Sequence, residues 1–469
     1  MKVKTFFSVF LLFLLLSGGC AFYNSANSYQ PISDFNNVTG KSAQTAPVVT
    51  EVVKPPFTLN QCIEIALKNN PDVVGGGWDV LTAKAEKDIA ASQRWPTFGL
   101  ETSYRYYLDD QRLIPPRYAN EPGVYGDDVL AGDMVLRMPI FTAGRIENEI
   151  KAADLLSQSA THRLARTRQE LVFNVSQVFY NILAQDHIIE SLGFSKKALE
   201  QHQKRVNDLI AVQKAAKVDL LRTEVRLANL QQRLVTEKNV MSILRRVLVN
   251  FLGISNFQSK VDINGDLQLT TVDANLPESI AHAYVQRADY LAVKKDINAQ
   301  EHRLDIARAG HWPIISVEGS YGLRSAANPS SQPSGTDETE DVGFVGVNAE
   351  FPIFEGGAID ARIHRERAKL SSLREHLRKL ELQIHLDIET AVLNITSSYE
   401  RVQATEKSIE QAKESLRIER EKYELGKGSI TNVLDAQAAL LDAQTNYYHA
   451  LSDYNIAIAQ WHLAIGDTK

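Results

Sequence analysis

The chain has 469 residues, 44% of them apolar, and a formal charge of −6. That composition excludes a largely disordered polymer, and an acidic balance without a basic block argues against nucleic acid as a partner. Two cysteines, Cys20 and Cys62, can build neither a disulfide framework nor a cysteine-rich metal site.

The N-terminus reads as a secretion signal. Lys2 and Lys4 precede a largely apolar run from Phe6 to Leu16, which is too short for the ~20 residues that a bilayer-spanning helix needs. Ser17-Gly18-Gly19-Cys20 follows, so residues 1–19 are predicted to be a lipoprotein-type signal peptide and Cys20 the acylated residue. Ser17 stands where leucine is usual, and an ordinary signal peptide cut nearby is the alternative. Ala21 after the cysteine favours sorting to the outer membrane. Residues 20–56 are rich in Ser, Asn, Thr and Pro and end in Lys54-Pro55-Pro56, as an extended tether would. Cys62 falls in an apolar helical pattern and is predicted to be a small core residue. No later segment carries ~18 uninterrupted apolar residues, so any passage through a membrane must use β-strands.

The body is an internal duplication. Arg94-Trp95-Pro96 followed by FGLETSYRY reappears as His311-Trp312-Pro313 followed by ISVEGSYGL, 217 residues on from Trp95 to Trp312. Met138-Pro139-Ile140-Phe141-Thr142-Ala143-Gly144 reappears as Phe351-Pro352-Ile353-Phe354-Glu355-Gly356-Gly357, an offset of 213. Asp219-Leu220-Leu221 matches Asn432-Val433-Leu434, and Gly253 matches Gly466, again at 213. The predicted repeats are 57–274 and 275–469. Each holds short helices, a β-hairpin (about 97–138 and about 314–351) and a long helical hairpin (about 144–253 and about 357–466).

Within the hairpins, Phe98, Leu100, Thr102, Tyr104 and Tyr106 alternate with Thr97, Gly99, Glu101, Ser103 and Arg105. Ile315, Val317, Gly319, Tyr321 and Leu323 alternate with Ser316, Glu318, Ser320, Gly322 and Arg324. Period-two patterning with one apolar face predicts strands of about ten residues, enough to cross a bilayer when tilted. Residues 109–127 and 325–341 read as loops. Arg105 and Arg324, opposite the apolar faces, are predicted to face a barrel lumen. Tyr104, Tyr106 and Tyr321 suit either a lipid–water interface or packing between strands.

The remainder is helical. Gly144–Val212 and Gly357–Leu425 lack proline and nearly lack glycine, and as helices they would run about 100 Å each. Ile384, Ile388, Ala391, Ile395, Ser398, Val402, Thr405, Ile409, Ala412 and Leu416 follow the alternating four-three steps of a coiled-coil seam. Four strands cannot close a barrel around a lumen, and open edges in lipid leave backbone groups unpaired at several kcal/mol each. Three chains would supply twelve strands and a continuous helical tube. The predicted fold is therefore mainly α with a small β part. It is an internally duplicated coiled-coil barrel of long helices with four strands per chain, shared in a trimeric twelve-stranded transmembrane β-barrel.

The duplicated arrangement, the WP and PIF–GG landmarks, and GKGSITNVLDAQAALLDAQ at 426–444 resemble the TolC-like outer-membrane efflux protein family over Phe57–Gly466. The resemblance implies a homotrimeric channel in the outer membrane that reaches into the periplasm and works with a periplasmic adaptor and an inner-membrane transporter. It also implies no catalysis and no cofactor. Efflux of small toxic compounds is the favoured role, with type I protein secretion as the alternative. The family's periplasmic gate maps onto Asp219, Tyr423, Asn432 and Asp435, with the helix-hairpin turns at Gln213, Gly426 and Gly428. Asn432 replaces one of two acidic positions, Gly428 stands where some members carry arginine, and Gln213 stands where a turn glycine is usual. Away from the resemblance, Asn432 and Asp435 fit ordinary polar helix positions and Asp219 fits a helix cap.

An enzyme is disfavoured because the eleven histidines form no HExxH pattern and there is no GxSxG or phosphate-binding loop. A lipid-anchored periplasmic coiled-coil scaffold would explain the helices and Cys20, but not the two amphipathic hairpins.

Overall fold

The computed structural model describes residues 56–213, 215–254 and 262–467. The expected signal peptide, Cys20 and the tether up to residue 55 lie outside the described residues. Two sets of elements follow one order. The first is α1 (Leu59–Asn69), α2 (Pro71–Ser92), β1 (Thr97–Arg112), β2 (Tyr125–Phe141), α3 (Arg145–Ala211) and α4 (Lys217–Phe251). The second is α5 (Leu276–Gln286), α6 (Ala288–Ala309), β3 (Ile314–Ala326), a three-residue β4 (Pro329–Ser331), β5 (Thr339–Glu350), α7 (Ala358–Glu424) and α8 (Ile430–Ile465). The protein is mainly helical with a small antiparallel sheet, and its architecture is duplicated.

The long helices α3 and α7 have 67 residues each, about 100 Å at the α-helical rise. Each is launched from its strand by two successive left-handed residues, Ala143 and Gly144 at φ 52° and 78°, and Gly356 and Gly357 at φ 61° and 85°. Left-handed geometry turns the chain sharply just ahead of each helix, at Ala143-Gly144 after the first Pro-Ile-Phe and at Gly356-Gly357 after the second. Along α7, Ile384, Ile388, Ala391, Ile395, Ser398, Val402 and Leu416 of the predicted seam are buried. Val402 and Ile395 pack with Ala450, Leu451 and Tyr454 of α8. Cys62 is fully buried among Val175, Phe179, Leu248 and Leu252, and burial pushes its thiol up to about 11. No described helix is long and apolar enough to cross a membrane.

The long strands are ordered β1-β2-β3-β5, all antiparallel, and β4 adds a short pairing to β2. They run to 16, 17, 13 and 12 residues rather than about ten, and parts of both expected loops belong to them. The extension has a physical source at its far end. Asp128 is buried there and accepts hydrogen bonds from the Asn328 backbone N–H (2.9 Å), Asn328 Nδ2 (3.1 Å) and the Tyr104 hydroxyl (3.2 Å). Leu113, Ile114, Val124, Val129 and Ala326 form a small core at the same end of the sheet.

Register assigns the two faces. Phe98 sits opposite Leu136, Leu100 opposite Met134, Met134 opposite Tyr321, and Val317 opposite Val347. This apolar face is open, with Phe98 72% and Val345 84% exposed. The other face carries Glu101, Arg137, Asp133 and Arg324, joined as Arg137–Glu101 (2.9 Å) and Arg324–Asp133 (2.7 Å). β1 and β5 are the free edges.

Candidate functional site

The helix-hairpin turns lie at the end of the helices remote from the strands. Gln213 ends the first hairpin's outward run at φ 60° and Gly426 the second at φ 70°. The chain then re-enters helix at Lys217 and Ile430. Ser429 caps α8 by accepting the Thr431 N–H at 3.2 Å, whereas among the described residues α4, with Ala216 at its N-cap, has no side-chain cap. Asp219 is therefore in the first turn of α4 rather than at its cap, where its charge complements the helix dipole. Gly428 lies against the end of α7: a Cβ there would meet Lys422 Cβ and the Tyr423 N at 3.0 Å. Any side chain would crowd that approach.

Tyr423 of α7 packs on the ring of His202 from α3, with centroids 5.6 Å apart and planes at 56°. Burial, reinforced by the Asp219 charge and opposed by Arg205, raises the Tyr423 phenol above its ordinary value. Among the described residues, Tyr423 and Asp219 are related by charge and no hydrogen bond joins them. Asn432 and Asp435 are both exposed on α8, and Asn432 Nδ2 donates to Glu419 Oε2 of α7 at 3.3 Å. The Lys422 ammonium at 2.7 Å holds the Glu419 carboxyl below its ordinary value, against the effect of burial and with help from the Asn432 amide. The structure thus brings Tyr423 and Asp219 into one cluster around His202, while Asn432 is tied to Glu419.

The cross-links between the two long-helix hairpins escaped the sequence reading. Arg205 of α3 pairs with Glu424 of α7 at 2.8 Å. Arg222 of α4 donates to Thr431 Oγ1 of α8 at 2.9 Å, and Arg233 pairs with Asp442 at 3.1 Å, three turns further along the same two helices. Each pair spans about two hundred residues of sequence, so no local spacing announces it. Arg105 and Arg324 share the polar face of the sheet, since Arg105 is opposite Val129, Arg324 is opposite Ala131, and Val129 and Ala131, two residues apart on β2, point to one face. Among the described residues no group of His, Cys, Asp and Glu is placed to hold a metal ion.

The family model for outer membrane efflux proteins matches residues 62–253 and 280–467, the two repeats in turn. The chain belongs to the outer membrane efflux protein family. It is 20% identical to outer membrane protein TolC of Escherichia coli K12 over 401 residues, 81% of this chain and 76% of that protein. To TolC of Vibrio cholerae it is 21% identical over 291 residues, 62% of this chain and 66% of that protein. It is 20% identical to the proteases secretion protein PrtF of Dickeya chrysanthemi, covering 80% of each. In three dimensions it resembles the Campylobacter jejuni CmeC outer membrane channel, with a TM-score of 0.76 at 17% identity, covering 87% of this chain and 85% of that one. This efflux-family member is an outer-membrane protein, and the solved structure it resembles is an outer membrane channel.

Proposed function

We propose that the chain is one third of a homotrimeric exit duct that exports small toxic compounds, drugs among them, as the outer component of a tripartite pump. The observation that carries the reading is a sheet of four long strands with an open apolar face and two free edges, β1 and β5. Unpaired strand edges in lipid cost several kcal/mol per orphan backbone group, so the edges call for copies of themselves. Three copies give twelve strands around an aqueous lumen, with the apolar face toward lipid and Arg105 and Arg324 inward. The long helices then extend the passage into the periplasm. Repeats at 57–274 and 275–469 would each supply one hairpin of strands and one of helices.

The duct is passive, takes its energy from an inner-membrane transporter, and meets it through a periplasmic adaptor. Asp219, Tyr423, Asn432 and Asp435 form the periplasmic gate, with Gln213, Gly426 and Gly428 setting the turns that present it. Asp435 is the acidic ring and Asn432 an amide ring, which gives a weaker cation preference than two acidic rings. Cys20 is the acylation site that adds a lipid anchor. A second reading, export of proteins in type I secretion, is favoured by the match to PrtF across most of both chains. Deletion of the gene separates the two: drug sensitivity supports efflux, and loss of a secreted protein supports secretion.

The test of the duct itself is planar-bilayer conductance of the purified protein beside Asp219→Ala/Tyr423→Phe and Asp435→Ala. A small wild-type conductance that rises in the double variant, with cation preference reduced by Asp435→Ala, is expected. Folded, inserted protein that never conducts, the double variant included, sinks the reading in favour of a periplasmic coiled-coil scaffold.

A further inference from the structure

His202 occupies an unusual place at the far end of α3. Its ring stacks obliquely on Tyr423, yet among the described residues its buried Nε2 has no hydrogen-bond partner. The charged groups facing it are Arg420 from α7, Arg205 from its own helix and Asp219 from the first turn of α4, with Tyr423 the other titratable neighbour. Arg205 is in turn drawn to Glu424 of α7 at 2.8 Å. A proton added to this ring would place a third cation beside two arginines and leave a charged N–H without an acceptor, an arrangement that burial penalises.

We propose that His202 is a proton-sensitive latch: the neutral ring holds α7 against α3 at the gate, and the protonated ring releases it. This inference rests on the duct reading above. Burial, then Arg420 and Arg205, hold the imidazole below its ordinary value, with Asp219 acting the other way. The packed arrangement therefore binds a proton less readily than one that exposes the ring to water. Its stability is full above the ordinary histidine value of ~6.5 and declines as pH falls through it toward the depressed one. Mild acid favours the open tip.

The experiment is bilayer conductance of the full-length protein at pH ~7.5 and ~5.5, the range in which histidine titrates. Wild type is compared with His202→Phe, which keeps an aromatic ring against Tyr423, and His202→Lys. Trimer mobility on gels checks assembly of each. A severalfold rise in wild-type conductance at the lower pH is expected, with a flat response in His202→Phe and an already raised conductance at the higher pH in His202→Lys. A wild type that does not respond to pH, or a His202→Phe variant that responds as wild type does, overturns the latch and leaves the duct standing. Silence in every preparation, including Asp219→Ala/Tyr423→Phe, removes the duct and the latch together.

Discussion

Asn70 and Arg287 hold the same place in the two repeats, and each bonds to the equivalent carbonyl of its own repeat. Asn70 joins α1 to α2 and donates to the Phe251 carbonyl at 3.1 Å. Arg287 joins α5 to α6 and donates to the Ala464 carbonyl at 3.4 Å. Phe251 and Ala464 each stand two residues before a left-handed glycine, Gly253 at φ 66° and Gly466 at φ 84°. A Cβ on Gly253 would come within 2.4 Å of the Asn69 carbonyl oxygen, and one on Gly466 within 2.8 Å of the Arg287 backbone. The end of each return helix is thus clamped to the start of its own repeat, although the two clamps use different side chains. Arg287 adds contacts of 3.0 Å to Asp289 and 2.9 Å to Asp387, which Asn70 is too short to make.

Gly253→Ala and Gly466→Ala are expected to be strongly destabilising, by roughly 2–4 kcal/mol each, because backbone strain and a backbone clash add. Thermal unfolding of the two variants checks this. A loss below ~0.5 kcal/mol in both would show that the clamp yields freely.

At two other left-handed positions the repeats differ in the opposite sense. Gln213 and Ala143 adopt φ 60° and 52° where the second repeat has Gly426 and Gly356. Gln213→Gly and Ala143→Gly should each relieve about 1 kcal/mol of strain, offset in part by the extra freedom of the unfolded chain. Denaturant midpoints should move upward, and Gly426→Ala should move them downward although no atom of the described residues lies within 4 Å of where its Cβ would stand.

Glu366 gives a pH signature outside the sheet. Burial alone would raise its carboxyl, but hydrogen bonds from Gln300 (2.8 Å), Lys369 (3.0 Å) and Arg365 (2.7 Å) outweigh it and bring it down to about 2. Stability from this group is present above the ordinary glutamate value of ~4.3 and is lost as pH falls from there to about 2. Unfolding measured across that window should be less acid-sensitive in Glu366→Gln. Equal slopes for the two proteins would remove Glu366 from the account.

The gate prediction concerns Asn432. In the proposed trimer an aspartate at this position would add an acidic ring, and it would also face the Glu419 carboxylate that the amide now serves as a donor. Asn432→Asp should raise the cation preference of the conductance and loosen the tip, so both selectivity and open probability increase. Reversal potentials in a salt gradient read the first and single-channel records the second. Unchanged reversal potentials would mean that residue 432 does not line the constriction.

Much of this architecture is written in local sequence. The periods of two and three and a half, the absence of proline from two 67-residue helices and the matching WP and PIF–GG landmarks determined helices, strands and duplication. The periodicities are legible because each depends on residues within a turn or two of one another, and the duplication because whole local patterns recur. The full length of the strands was not, since Asp128 extends the pairing by accepting from Asn328, two hundred residues away in the chain. The same reason hid the Arg205–Glu424, Arg222–Thr431 and Arg233–Asp442 links, in which an ordinary surface arginine gains a role only from the helix that packing brings opposite it. His202 is the sharpest case. In sequence it is one of the chain's eleven histidines, and only tertiary packing buries its Nε2 and sets the charges of Arg420, Arg205 and Asp219 around the ring. Periodicity determined which faces were apolar; tertiary packing decided which polar groups lost their water, because desolvation depends on neighbours that sequence order does not keep together.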